Sequence, residues 1–226
     1  MPIKTVIFDF DGTLASSLEG IWTCMSETLT HYNFAAPTLQ QVRQTIGLTL
    51  EESIHRLTEG HCEEPLTSEM VVFFRALHTT KAAPLIRLFD GAISTLAELR
   101  RRDIFSIIVS NKGRAGLHQL LAQLKITNYI DVVISAEDVS HCKPDARLYT
   151  DHITPLLPLT PNSQTLVVGD TETDILFAKN ANLLSCWATY GYGNVQRCKA
   201  LTPNFELQDL TDLPALITRY QRDSIV

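Results

Sequence analysis

Two carboxylates one residue apart, Asp9 and Asp11, follow the apolar run Val6-Ile7-Phe8 and precede Gly12-Thr13. Two acids that close in one pocket disfavour each other's ionised form unless a cation or a proton lies between them. The spacing therefore points either to a divalent metal or to one acid kept protonated for catalysis. Gly12 permits the tight turn that lets both groups face one site. The alternative is a solvated Asp-rich turn after a core strand, which needs no partners elsewhere in the chain.

Partners are present. Ser110-Asn111-Lys112 and Gly169-Asp170-Thr171-Glu172-Thr173-Asp174 each follow an apolar segment, and the segment after the apolar run at 131–135 reaches Lys143-Pro144. Asp9, Asp11, Asp170 and Asp174 offer oxygen donors, which suit a hard cation such as Mg2+ rather than zinc. The Ser110 hydroxyl and the Lys143 ammonium suit an anionic oxygen. Together they describe a phosphoryl group held beside a nucleophilic carboxylate. Taken singly, each has a plainer reading. Ser110 is a good helix N-cap, Lys143 and Lys112 read as solvated surface lysines, and Asp170 with Asp174 favour a helix N-terminus. His141-Cys142 is a poor metal site without two further ligands.

The elements that must position these groups follow from periodicity. Residues 5–8 read as a buried strand, and parallel sheets bind ligands at the carboxyl ends of their strands. From 16 to about 85 the chain reads as helices only: 18–33, then 38–46 ended by Gly47, 49–57, and one capped by Thr67 or Ser68 that runs to about 81. Strands at 104–109, 131–135, 164–168, 185–189 and near 205 then alternate with helices over 90–102, 114–125, from Pro144, 173–182 and 213–220. In the 90–102 helix Ile93, Leu96 and Leu99 form the apolar face, and Pro144 takes a first-turn position. The fold class expected is α/β, a doubly wound parallel sheet with an inserted α-helical cap: core over 1–15 and 86–226, cap over 16–85.

The 226 residues carry a net charge of −6, with 45% hydrophobic content. That supports one sizeable core and a smaller companion. No basic cluster resembles a nucleic-acid footprint, and no apolar run would span a bilayer, so neither nucleic acid nor membrane is an expected partner. The first residues enter a strand rather than a signal peptide. Five scattered cysteines without a Cys-x-x-Cys pair suit reduced thiols in a cytoplasmic protein. Arg43, His55, Arg56 and Arg75 in the helical block are either substrate-reading residues or solvated helix faces. Nothing in the sequence specifies an oligomeric state.

The motifs Asp9-Phe10-Asp11-Gly12-Thr13, Ser110-Asn111-Lys112, Lys143-Pro144 and Gly169-Asp170 to Asp174, in this order, resemble the haloacid dehalogenase-like phosphatases, in particular the phosphoglycolate-phosphatase-like branch with a helical cap. The helical block, with Ile46-Gly47-Leu48, is similar to that cap. The resemblance implies a Rossmann-like core and Asp9 as a nucleophile that becomes an aspartyl phosphate. It makes Asp11 the acid and then the base. Mg2+ would be held by Asp9, the Asp11 backbone carbonyl and Asp170, with Asp174 in support. Phosphate would be met by Asp11, Gly12, Thr13, Ser110, Asn111 and Lys143. The implied substrate is a small phosphorylated metabolite, with 2-phosphoglycolate first. A nucleotide or sugar-phosphate phosphatase, a β-phosphoglucomutase-type phosphomutase and a phospho-accepting signalling domain are the alternatives. Two positions depart from the pattern. Ser16 stands where the family often has Asp, and Leu50 stands where the mutases tend to carry a base.

Overall fold

A computed structural model describes residues 2–157 and 160–223, so residue 1, residues 158–159 and the last three lie outside the description of the expected core. β1 (Thr5–Phe8) is buried at all four positions. The short β2 (Ala15–Ser16) leads into α1 (Leu18–His31), α2 (Leu39–Arg43), α3 (Leu50–Leu57) and α4 (Leu66–Leu77). β3 (Arg87–Leu88) returns antiparallel to β2, pairing Ser16 with Arg87. The two crossings into and out of the helical block are thus stitched together.

The remaining chain alternates α5 (Ala92–Arg101), β4 (Phe105–Val109), α6 (Arg114–Gln123), β5 (Val132–Ile134), β6 (Thr165–Gly169), α7 (Glu172–Asn180), β7 (Leu184–Ala188), α8 (Val195–Ala200), β8 (Phe205–Leu207) and α9 (Leu213–Asp223). The sheet order is β5-β4-β1-β6-β7-β8, and every pair is parallel. β1 pairs with β4 (Phe8 opposite Ile108) on one side and with β6 (Phe8 opposite Val168) on the other. The strand order therefore reverses at β1, the switch point beyond whose carboxyl end such sheets bind ligands. Alternation along the strands divides the core. Val6, Phe8, Ile108 and Val168 pack with Leu96, Leu99, Leu120 and Ile217 on one face. Ile7, Ile107, Val109 and Val167 pack with Phe177 and Tyr149 on the other.

Three local expectations fail for identifiable reasons. Neither Thr67 nor Ser68 caps α4; the helix starts at Leu66 after Pro65, and the Thr67 hydroxyl is buried against the Cys62 carbonyl. The helix then loosens into a π-turn over His78–Ala82. Ile93 faces outward at 45% exposure, while Leu96 and Leu99 are buried. Pro144 does not open a helix. Asp145 accepts the Arg147 N–H at 2.8 Å, and the helical turn over Leu148–Ile153 begins only there. α3 fits its expectation closely, because Thr49 and Glu52 exchange reciprocal capping bonds.

Candidate active site

Asp9 leaves β1 with its N–H still donating to the Val168 carbonyl at 2.9 Å, which fixes its side chain over the sheet edge. Lys143 Nζ lies 2.6 Å from Asp9 Oδ1 and 2.7 Å from Asp174 Oδ1, with all three side chains buried. Two N–H groups of that ammonium are thereby engaged, and it has three to give. Asp174 is the third residue of α7 and accepts the Thr171 N–H (3.1 Å) and hydroxyl (2.8 Å) through Oδ2. Both of its oxygens are already bonded, so it acts as an anchor for Lys143.

Asp170 is fully buried. Its carboxylate accepts the Thr13 hydroxyl at 3.0 Å and the Tyr192 N–H at 2.7 Å, and its carbonyl accepts Trp187 Nε1 at 3.0 Å. Gly12 has a φ of +93°, and a Cβ there would lie 2.2 Å from Asp170 Oδ2. Only glycine fits the turn and the approach together. The Gly12 N–H is bonded to the Ala15 carbonyl at 2.8 Å, and the Thr13 hydroxyl is bonded to Asp170, so both residues build the site internally.

Carboxylate oxygens of Asp9, Asp170 and Asp174 come within 4.8 Å of one another. Burial raises the Asp9 pKa to about 7, with the Asp174 charge adding to it and Lys143 opposing. Burial, then Asp9 and Asp174, push Asp170 well above the usual carboxylate range. Burial lowers the Lys143 pKa, but Asp174 and Asp9 outweigh it and hold the ammonium well above its ordinary value. Three crowded acids with one lysine between them are short of positive charge. Their all-oxygen donor set fits a Mg2+ ion on chemical grounds.

Asp11 faces another way. Its carboxylate is bound by Lys112 Nζ at 3.1 and 3.2 Å. Burial would raise its pKa, yet Lys112 overrides this and lowers it. Lys112, expected to be solvated, is instead 11% exposed at its side chain, because the Asp11 charge draws it inward. Ser110 is not a helix N-cap, since α6 begins at Arg114 after Gly113. Its Oγ accepts the Lys112 N–H at 3.3 Å, leaving its own proton to be donated. The Asn111 carboxamide is spent on backbone: it donates to the Gly47 and Lys143 carbonyls and accepts the Lys143 N–H. It positions Lys143 and ties the helical block to the sheet edge.

A cavity of about 140 Å³ opens above Asp9 and Asp11. Ser110 and Lys112 line it from the sheet edge; Ile21, Met25, Leu50, Phe74, Arg75 and His78 line it from the helices. The sequence reading missed the loop after β7. Tyr190 donates its hydroxyl to the Thr13 carbonyl at 2.8 Å, and the Tyr192 hydroxyl accepts the Ser17 and Leu18 N–H groups at 2.8 and 3.2 Å. Arg43, one of the charged residues of the helical block, donates to the Gly191 and Tyr192 carbonyls at 3.1 Å each. Tyr-Gly-Tyr-Gly at another strand's carboxyl end was the available signal. His55 and Arg56 lie exposed. His141 and Cys142 gather no further ligands among the described residues.

A family model for haloacid dehalogenase-like hydrolases matches residues 6–188. The chain belongs to that family. The hydrolase is 27% identical over 219 residues to the pyrophosphatase PpaX of Bacillus mycoides (strain KBAB4), an alignment covering 97% of this chain and 99% of the relative. It is 28% identical over 222 residues to the PpaX of Bacillus cereus (strain G9842), covering 98% and 100%. Among solved structures, a haloacid dehalogenase-like hydrolase of Bacteroides fragilis superposes with a TM-score of 0.86 at 28% identity, covering 93% of this chain and 99% of that one. A predicted phosphoglycolate phosphatase from Haemophilus somnus 129PT shares the fold, with a TM-score of 0.87 at 21% identity, covering 95% and 97%. The hydrolase is therefore a phosphatase-type enzyme on an α/β fold. No described helix is long and apolar enough to cross a membrane.

Proposed function

We propose that the enzyme is a Mg2+-dependent phosphatase that hydrolyses a small phosphate monoester through an aspartyl phosphate on Asp9. The observation that carries this reading is the buried Asp9–Lys143–Asp174 chain beside Asp170. Asp9, Asp170 and the Asp11 carbonyl would hold the ion, which would supply positive charge against the phosphoryl oxygens. The third Lys143 N–H and the Ser110 hydroxyl meet those oxygens. Asp9 attacks phosphorus, the bond to the leaving oxygen breaks, and Asp11 protonates that oxygen. Asp11 then takes a proton from the water that cleaves the acyl phosphate, releasing inorganic phosphate. In the structure Lys112 keeps Asp11 ionised, which suits the second half-reaction. For the first, the incoming phosphoryl dianion competes for the same ammonium and lets Asp11 take up a proton.

The helices over 16–85 serve as a cap that closes on the β2–β3 crossings and excludes water from the leaving group. Leu50, which lines the cavity, offers no grip for a second phosphate, so hydrolysis is favoured over mutase chemistry. The five free thiols support a reducing, cytoplasmic setting. Likeness supplies two substrates: 2-phosphoglycolate from the family resemblance and pyrophosphate from the PpaX relatives. Phosphate release with Mg2+ across a panel of monoesters and pyrophosphate tests the reading. Turnover that survives Asp9→Asn would overturn it.

A further inference from the structure

The cavity has two unlike walls. The sheet edge presents Asp9, Asp11, Ser110 and Lys112; the helices present Ile21, Met25, Leu50 and Phe74. Among the described residues of the helical wall, Arg75 Nε and His78 Nε2 are buried without a hydrogen-bond partner, and of the two residues the fully buried one is His78. It is 4% exposed, and its Nε2 is sealed from solvent with no hydrogen-bond partner. Its ring leans on Phe74, with centroids 5.9 Å apart, and lies close to Gly116 of α6. Burial, with Lys112 nearby, drops its pKa to about 3, so the ring is neutral and offers one donor and one acceptor. A buried polar group without a partner costs stability and calls for an explanation.

The two cations on the cavity wall are already engaged by acids. Arg75 lies 2.6 Å from Glu137 and 3.9 Å from Glu51, and Lys112 is held by Asp11. Once Lys112 turns to the transferred phosphoryl group, no unpaired cation is left for a second anionic group on the substrate. A leaving group with its own charge would have to enter an apolar wall uncompensated.

We propose that His78 reads the alcohol half of the substrate, and that the cavity takes monoesters of small uncharged alcohols carrying at least one further hydroxyl or carbonyl group. The imidazole bonds that group, and Ile21, Met25 and Phe74 cover its hydrocarbon. The assignment rests on the phosphatase reading above and ranks both 2-phosphoglycolate and pyrophosphate below a neutral polyol phosphate.

The test compares glycerol 1-phosphate, n-propyl phosphate, 2-phosphoglycolate and pyrophosphate with Mg2+. Wild-type kcat/KM is expected to be highest for glycerol 1-phosphate, about tenfold above propyl phosphate. His78→Leu should lower kcat/KM for glycerol 1-phosphate about tenfold more than for propyl phosphate, which erases the preference, and should hold or raise the Tm. His78→Gln, which keeps a donor and an acceptor, should retain part of the preference. A wild-type preference for pyrophosphate or 2-phosphoglycolate, or an equal loss on both neutral esters in His78→Leu, overturns the inference alone. No turnover of any of the four, with no Asp9-dependent beryllofluoride signal by 19F NMR, overturns the phosphatase reading and this inference with it.

Discussion

The floor and the roof of the cavity are built on opposite principles. On the floor nearly every polar atom is bonded at least once: Asp9 to Lys143, Lys143 to Asp174, Asp174 to Thr171, Asp170 to Thr13 and Tyr192. The roof is mostly hydrocarbon, and its one buried imidazole has an unpartnered nitrogen. A floor so constrained can hold only one arrangement of charge, so it defines the reaction. A roof with few directional bonds can change its side chains at small cost to the fold, so selectivity belongs there.

The largest effect that would break this division is at Asp9. Asp9→Asn removes the proposed nucleophile while keeping size and most hydrogen bonds. Turnover on the best substrate should fall by a factor on the order of 10^4–10^6, with an unchanged circular dichroism spectrum. A mild loss would mean that the floor does not define the chemistry. Asp11→Asn comes next, with a loss of roughly 10²–10⁴-fold for a missing proton transfer. Because the Asp11 side chain points to Lys112 and away from the Asp9–Asp170–Asp174 cluster, Mg2+ affinity by calorimetry should change little. An Asp11 variant that folds but no longer binds Mg2+ would contradict that separation.

Most of the floor was legible in the sequence because Asp9, Asp11, Ser110 and Asp170 lie just past strands, and strand ends are readable from short β-branched runs such as Val6-Ile7-Phe8. Alternating strands and helices likewise announced the parallel sheet. The roof was less legible. Helix periodicity turns Met70, Phe73, Phe74 and Leu77 inward, of which Met70 and Phe74 are buried, but it carries no information on what His78 faces once α4 loosens into the π-turn. Lys112 was misread because its burial depends on Asp11, 101 residues away in sequence. Tyr192 was missed because its partners, Ser17 and Asp170, come from two other segments. Local pattern reports which face is apolar; long-range pairing of polar groups is a property of the assembled fold.

Tyr192 joins floor to roof, so it sharpens the comparison. Its N–H holds Asp170, and its hydroxyl accepts the first N–H groups of the chain entering α1. Ser17, the N-cap residue, provides no side-chain cap of its own. Tyr192→Phe keeps the backbone bond and loses the hydroxyl. Hydrogen exchange at the Ser17 and Leu18 amides should accelerate, and KM should rise several-fold with a smaller change in kcat, as one or two neutral hydrogen bonds would give. If kcat falls and KM does not, the phenol acts on the chemistry of the floor rather than on the seating of the roof.

The smallest expected effect is on stability and follows from crowding on the floor. The Asp9 pKa rises from 3.8 to about 7 in the folded protein, so between about pH 4 and 7 the folded state binds more protons than the unfolded one. The Asp9 contribution to stability without metal must then fall as pH rises through that window, because its slope follows the unfolded-minus-folded proton count. Asp170, also raised, has the same sign, whereas His78, lowered from 6.5 to about 3, has the opposite sign up to about pH 6.5, so the net fall is clearest above that pH. Lys143, raised above its ordinary 10.5, contributes stability that is present throughout this window and is lost only at higher pH. Asp11, lowered from 3.8, contributes stability lost only as pH falls below the window. A bound divalent ion offsets the crowding, so the Tm difference between Mg2+ and EDTA should widen from pH 5 to pH 8, by a few degrees for a domain of this size. In Asp9→Asn the EDTA profile should be flatter, because one of the two raised acids no longer titrates. A Tm in EDTA that does not fall between pH 6.5 and 8, or a Mg2+ shift equal at pH 5 and pH 8, would show that the floor's acids are not held in the strained, cation-seeking state their burial requires.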